Sequence, residues 1–176
     1  MKKIWIGLAL LLIAVTIWGC AHKMAHAPTA VSAPAPDIPL PPPGCGASLT
    51  EPLAHVYHPD RLVVIERCKT VTGVIDMVRS EPDGDYHIRL RLDPGQGELT
   101  NARNDVVQGG DLVVEPICEH EVRQADAISA CQGFSGGVLR PKRGMHVRVT
   151  GPYVLDREAN HGWTEIHPAV LIEEIE

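Results

Sequence analysis

The sequence is poor in aromatic residues and in basic charge. Only seven of its 176 residues are aromatic (one Phe, three Trp, three Tyr), and Trp5 and Trp18 lie near the N-terminus. Lys and Arg number 16 against 22 Asp and Glu, which gives a formal net charge of −6. Nucleic-acid binding depends on clustered basic side chains and often on aromatic stacking surfaces. The composition therefore argues against nucleic acid as a partner.

The chain also lacks an apolar run long enough to span a membrane. Residues 4–18 form an apolar stretch shorter than the ~20 residues that a spanning helix needs. This stretch follows Lys2 and Lys3 and is followed by Gly19-Cys20, which is the order of a secretory signal. We therefore expect residues 1–20 to be a signal segment that directs export, rather than a retained membrane span.

The residues around Cys20 resemble the lipobox of bacterial lipoproteins. Ile17-Trp18-Gly19-Cys20 ends in the cysteine that is lipidated in that family, with Trp18 where a small residue is usual. The resemblance implies that Cys20 carries acyl chains, palmitate among them, which anchor the protein to a membrane. Ala21 after the cysteine implies sorting to the outer membrane, facing the periplasm, in a cell with two membranes.

Residues 21–46 have a composition that cannot bury a core. They contain seven prolines and six alanines. Such a segment favours extended polyproline geometry and acts as a semi-rigid spacer. We expect residues 21–46 to be a stalk, and residues 47–176 to be one folded domain with its core at 68–172.

Four cysteines remain once Cys20 is assigned to lipid. In an oxidising compartment an even number predicts two disulfides, and four cysteines allow three connectivities. We favour Cys118 with Cys131, which closes a short loop worth about 3 kcal/mol, and by elimination Cys45 with Cys68. A zinc site is the alternative, but no cysteine pair has the two-residue spacing of a zinc knuckle.

From residue 68 onward the apolar pattern has mostly period two, which is typical of half-buried strands. Five runs are separated by turn residues, and one stretch, Glu121 to Ala130, has helical spacing between the third and fourth runs. The runs are 69–79, 86–92, 112–118, 146–155 and 163–172. This order predicts a mainly β fold, a small five-stranded OB-like barrel with one helix between strands three and four. An SH3-like barrel or a small sandwich is the alternative.

Three local features of these runs carry further expectations. Gly73 interrupts the first run, as glycine does where a barrel strand bends sharply. Pro168 lacks an N–H donor, so the fifth run should be an edge strand or bulged there. Residues 82–85 predict a tight hairpin turn, and the long polar segment 93–110 is a candidate binding element.

The most unusual local sequence is His161-Gly162-Trp163-Thr164-Glu165-Ile166-His167-Pro168. In a strand, Trp163, Glu165 and His167 share one face. His161, Glu165 and His167 offer nitrogen and oxygen ligands for a divalent metal, with His87 as a fourth. The structural alternative is that Glu165 orients His167 or pairs with Arg89.

This closing sequence and the segment Asp83-Gly84-Asp85-Tyr86-His87 resemble those of a family of uncharacterised bacterial exported domains. Members carry aspartate-glycine-aspartate-x-histidine early and histidine-glycine-tryptophan-x-glutamate-isoleucine-histidine-proline near the end. The resemblance covers about residues 68–172. The resemblance implies where the domain begins and ends and that the protein is exported. It implies no reaction, because the family has no settled activity.

Together these features predict an exported, lipid-anchored binding or structural module of the cell envelope, with an unknown envelope ligand and no nucleic-acid partner. A divalent metal is the one cofactor that the residues allow, because the chain has no phosphate-binding loop and no cofactor motif. The alternative is a metal-dependent hydrolase that uses His87, His161, Glu165 and His167.

Overall fold

A computed structural model describes residues 53–138 and 140–176. The predicted signal at 1–20 with its lipidation site Cys20, the predicted stalk at 21–46 and Cys45 lie outside these residues. Within the described ranges, no helix has the length and apolar character needed to cross a membrane.

The described chain contains six strands and one α-helix. The strands are β1 Leu62–Ser80, β2 Tyr86–Leu92, β3 Leu112–Val114, β4 His146–Asp156, β5 Thr164–Ile166 and β6 Leu171–Glu174. The helix, α1, spans Ala102–Gln108, and short 3₁₀ turns lie at Pro59–Arg61 and Gly97–Leu99.

Five of the strands close into a ring. The sheet order is β1-β2-β3-β5-β4, and β4 pairs again with β1, which closes the ring. The sixth strand, β6, pairs with the first part of β4, at residues 147–150. The β3–β5 pair is parallel and the other pairs are antiparallel. The prediction of a small, mainly β, five-stranded barrel is confirmed.

The first strand serves both halves of the barrel. It pairs with β4 from Leu62 to Val74 and with β2 from Gly73 to Ser80. At Gly73, where the two pairings meet, a Cβ atom would collide with the main-chain oxygen of Arg91. Glycine is therefore required at this position, as the sequence indicated.

The fifth predicted run divides into two strands. β5 ends at Ile166 and β6 begins at Leu171, with a cis peptide bond between His167 and Pro168. Because Pro168 cannot donate to a ladder, the regular pairing stops near it.

The predicted helix at 121–130 is wrong in its position, since the single helix of the described chain lies between β2 and β3. Asn101 caps α1 by accepting hydrogen bonds from the N–H groups of Arg103 and Asn104, and Gly109 ends it in a left-handed conformation (φ 72°). These two residues fix the limits of the helix.

Residues 124–133 form successive turns instead of a helix. The N–H groups of Arg123 and Gln124 both donate to the carbonyl of Pro82 in the hairpin turn. Ala127 and Ala130 then donate to the carbonyls three residues earlier, rather than four. Tertiary bonds to the hairpin thus outweigh the helical spacing of this segment.

The Cys118–Cys131 disulfide is confirmed, with its Cα atoms 5.5 Å apart. It closes the segment that holds these turns. The second predicted bridge joins Cys68 to Cys45, which lies outside the described residues, so that pairing stays a prediction.

The barrel interior is filled by aliphatic side chains from all six strands, and Leu90, Leu112 and Val114 are fully buried. Near the C-terminal ends of β3 and β5 this apolar packing gives way to buried charged groups. Glu165 and His167 are both 0% exposed.

Candidate functional site

The parallel pairing of β3 and β5 brings Glu115 and His167 together. Val114 pairs with Ile166, so the residues that follow each strand lie at the same edge of the sheet. The Glu115 N–H donates to the Ile166 carbonyl at 3.0 Å, and the Ala169 N–H donates to the Glu115 carbonyl at 2.9 Å. Main-chain bonds on both sides therefore hold Glu115 in place beside His167.

Glu115, Glu165 and His167 form a hydrogen-bonded group, which we call the carboxylate–histidine cluster. Nδ1 of His167 lies 2.9 Å from Oε1 of Glu165 and 3.0 Å from Oε2 of Glu115. The indole N–H of Trp163 donates to Oε2 of Glu165 at 2.7 Å. Nδ1 of His87 lies 2.8 Å from Oε1 of Glu115. Every carboxylate oxygen of the cluster thus has a nitrogen partner.

The cluster is electrostatically coupled. Burial alone would lower the pKa of His167, but the charges and hydrogen bonds of Glu115 and Glu165 raise the pKa to about 10. Burial opposes ionisation of Glu115, yet the two imidazoles hold its pKa well below the usual value. Burial and the charge of Glu115 raise the pKa of Glu165. With a proton on His167, the cluster contains a buried imidazolium between two carboxyl groups.

A second group surrounds Asp156, at the end of β4. Its carboxylate accepts hydrogen bonds from Arg61 and from the N–H of Glu158, and it lies 2.8 Å from Nδ1 of His161. The hydrogen bond to Asp156 raises the pKa of His161. The ring of His161 stacks on Trp163 with centroids 4.0 Å apart. Trp163 therefore connects this group to the cluster.

These groups border a polar pocket of about 220 Å³. Its lining includes five carboxylates and two guanidiniums, a formal excess of three negative charges when the histidines are neutral. The charged residues are Glu81, Asp83, Asp85, Glu115, Glu158, Arg61 and Arg79, and the wall also contains His87, His161, Trp163 and Tyr57.

The hairpin turn between β1 and β2 supplies two of these carboxylates. Asp83 accepts a hydrogen bond from the N–H of Asp85 at 3.3 Å, and Asp85 accepts one from the N–H of Cys118 at 2.8 Å. Burial, with the nearby charge of Asp83, raises the pKa of Asp85 to about 7. The turn forms one wall of the pocket together with Gln124, which belongs to the segment that the disulfide closes.

The four predicted site residues are divided between the two groups. Glu165 and His167 lie in the cluster, His87 contacts it through Glu115, and His161 belongs to the Asp156 group. Trp163 contacts His87 edge to face at 6.0 Å and so borders three of the four, His87, His161 and Glu165. Arg89 pairs with Asp76 rather than with Glu165.

The sequence reasoning did not select Glu115, Asp156 or Arg61 for the site. Both acids come directly at or after the end of an apolar strand, a signal that could have marked them. Arg61 stands outside every predicted run, and it contacts Asp156, Glu158 and Glu115.

Three groups in the described residues place metal-ligating atoms close together. They are the carboxylate–histidine cluster, the set Asp156, Glu158 and His161, and the set Asp85, Cys118 and Cys131. The last set does not offer thiolate ligands, because its two sulfurs form the disulfide. The metal assignment made from the sequence to His87, His161, Glu165 and His167 stays a prediction.

Fold and site together define a small five-stranded β-barrel with an acidic pocket at the end of its parallel strand pair. No protein-family model, curated protein or solved structure matches the chain. The resemblance to exported bacterial domains therefore stays a hypothesis that rests on the two sequence motifs.

Proposed function

We propose that the chain is an exported, lipid-anchored binding module of the bacterial cell envelope, and that the acidic pocket is its ligand site. The export signal, the lipidation of Cys20 and the location at the outer membrane are parts of this proposal that rest on the sequence. The observation that carries the binding role is the pocket itself, with its excess of carboxylates.

The cost of the buried charges supports a site rather than a purely structural barrel. Asp85, Asp156, Glu165 and His167 are each at most 4% exposed. Replacing buried ionic groups with apolar side chains of similar volume is often neutral or stabilising. A barrel with only a structural role would have no need for them, so we infer that they are retained for binding.

The distribution of ion pairs indicates the charge of the ligand. Arg61 is paired with Asp156 and Glu158, and Arg79 is paired with Glu81. In the described part of the chain, Asp83 and Asp85 have no such pair with Lys or Arg. A ligand with an ammonium group would supply the cationic partner that these two carboxyl groups lack, so we propose a small cationic ligand.

Thermal unfolding of the full-length protein in detergent, with and without a panel of diamines and amino sugars, tests this proposal. We expect at least one amine to raise the melting temperature of the wild type and to lose this effect in Asp85→Asn. Glu98→Gln is the matched control, because Glu98 is an exposed acid on another segment. If no amine stabilises the wild type, or if Asp85→Asn responds like the wild type, the pocket is not a cation site.

A metal-dependent hydrolase is the second candidate function, and His161 favours it. Its imidazole lines the pocket while Asp156 holds the Nδ1 atom, as in a positioned acid–base pair. Turnover of ester and phosphoester substrates in the presence of zinc or manganese tests this candidate. We expect His161→Gln to abolish any such turnover, and a wild type that shows none rules the candidate out.

A further inference from the structure

We propose that the carboxylate–histidine cluster is a binding site for one divalent transition-metal ion. Oε2 of Glu115, Oε1 of Glu165 and Nδ1 of His167 would be its ligands. This inference does not depend on the amine ligand proposed above, because Glu165 and His167 lie behind the pocket wall, outside the lining.

The distances within the cluster suit a common ion. The two oxygens lie 2.9 and 3.0 Å from the same nitrogen, and the ligating atoms are all within 4.8 Å of one another. Zinc binds histidine nitrogen at ~2.0–2.1 Å and carboxylate oxygen at ~2.0–2.2 Å. An ion between the three atoms therefore requires only small movements of the side chains.

The two carboxylates of the cluster have the outer partners that carboxylate ligands of a metal usually have. Each carboxylate turns one oxygen toward His167, and its other oxygen is held by a nitrogen, from Trp163 for Glu165 and from His87 for Glu115. Such second contacts orient carboxylate ligands in metalloproteins. The carboxylate oxygens are thus already oriented toward the proposed ion position in the absence of an ion.

Basic groups are few around the cluster. The guanidinium of Arg61 is 4.0 Å from Glu115 and is shared with Asp156 and Glu158. A divalent ion would bring positive charge between two carboxyl groups that are largely removed from solvent.

The second nitrogen of His167 is a further unusual feature. Nε2 is buried and has no hydrogen-bond partner among the described residues. Buried polar side-chain atoms usually have a partner, so this atom is unexpected in an ion pair that serves only the fold. When an ion binds at Nδ1, the proton on Nδ1 leaves to solvent.

The donor set selects the class of metal. One imidazole nitrogen and two carboxylate oxygens suit zinc or manganese, whereas calcium takes six to eight oxygens and copper(I) prefers sulfur ligands. Glu115 lines the pocket, so an ion reaches the cluster from there.

Metal analysis of the full-length protein in detergent tests the site. We expect the chelator-treated wild type to take up one equivalent of zinc or manganese, and Glu165→Gln to bind at least about 100-fold more weakly, since loss of outer partners alone costs ~10–100-fold. Glu98→Gln is the matched control, because Glu98 is an exposed acid on another segment and should leave uptake unchanged. A wild type that binds no metal overturns the proposal, as does uptake that Glu165→Gln leaves unchanged.

Two further measurements cover a variant that fails to fold. The cobalt-loaded wild type should show the visible absorption of a site with nitrogen and oxygen ligands, and Trp163→Phe should weaken metal binding by about 10–100-fold. An absent cobalt spectrum contradicts the site. Asp85→Asn should lose amine binding and retain the metal, so failure of one proposal is seen separately from failure of the other.

Discussion

The apolar interior of the barrel and the charged end beside β3 and β5 are equally buried but chemically opposite. Leu90 and Leu112 are 0% exposed in the interior, and Glu165 and His167 are 0% exposed in the cluster. Burial of aliphatic groups stabilises a fold, whereas burial of charged groups seldom does. The comparison indicates that the interior supplies the stability that offsets the cost of the charged end, which we propose is kept for ligand binding.

The largest effect on this comparison should come from the interior. Leu90→Ala is expected to lower the free energy of unfolding by ~2–5 kcal/mol, because it leaves a cavity in packed surroundings. Metal and amine affinity should be unchanged in the folded fraction. Urea unfolding measures the change, with the exposed Val106→Ala as a control that should fall within ~0.5 kcal/mol of the wild type. An equal effect of both variants would contradict the assignment of the core.

The disulfide lies beside the pocket wall, where the main-chain N–H of Cys118 donates to the Asp85 carboxylate. We expect Cys118→Ala/Cys131→Ala to lower the free energy of unfolding by about 3 kcal/mol, the value for a loop of this length. The affinity for the amine should fall as well, because the segment that carries Gln124 in the pocket wall is no longer closed by the disulfide. Chemical unfolding and amine titration of the double variant measure both. Weaker stability with unchanged affinity would show that the bridge serves the fold alone.

The smallest effect should come from the cap of α1. Asn101→Ala removes the acceptor for two helix N–H groups and is expected to cost ~1 kcal/mol. Asn101→Asp keeps that acceptor and should retain most of the stability, although it loses the bond from Nδ2 to the Gly162 carbonyl. Thermal unfolding of both variants gives the answer. If Asn101→Asp is as unstable as Asn101→Ala, the hydrogen bond to Gly162 contributes more to stability than the helix cap does.

The sequence predicted the strands whose side chains alternate. The predicted bounds of β2 agree with the structure, and those of β4 differ by one residue. The sequence of β2 alternates throughout, whereas β4 alternates only at its start, where Val147 and Val149 are buried and Arg148 is exposed. The start of β1 was missed, since Leu62 to Ile65 form a continuous apolar run in which Val64 and Ile65 are 40% and 55% exposed. A strand with an exposed apolar stretch gives no period-two signal.

The helix and half of the site could not be predicted from periodicity. α1 has no apolar face, because Val106 is 77% exposed while the polar Asn104 and Gln108 are buried. Hydrogen bonds from the Asn104 side chain to the Asp111 and Thr164 carbonyls hold it instead. Glu115 meets His167 only through the parallel β3–β5 pairing, a long-range contact that local sequence does not encode.

The claim that buried acids around the pocket cost stability is tested most directly at Asp85, which is 4% exposed in the pocket wall. Folding raises the pKa of Asp85 to about 7 from a usual value near 4, so its stabilising contribution is complete at low pH and is lost as the pH rises to 7. Asp85→Asn keeps the acceptor for Cys118 and removes the charge.

The measurement is the free energy of unfolding of the wild type and of Asp85→Asn between pH 4 and pH 8. The two proteins should have similar stability at pH 4. At pH 8 the variant should be the more stable by a few kcal/mol, since one pKa unit corresponds to ~1.4 kcal/mol. A variant that is less stable than the wild type at pH 8 would contradict the claim, because Asp85 would then stabilise the fold.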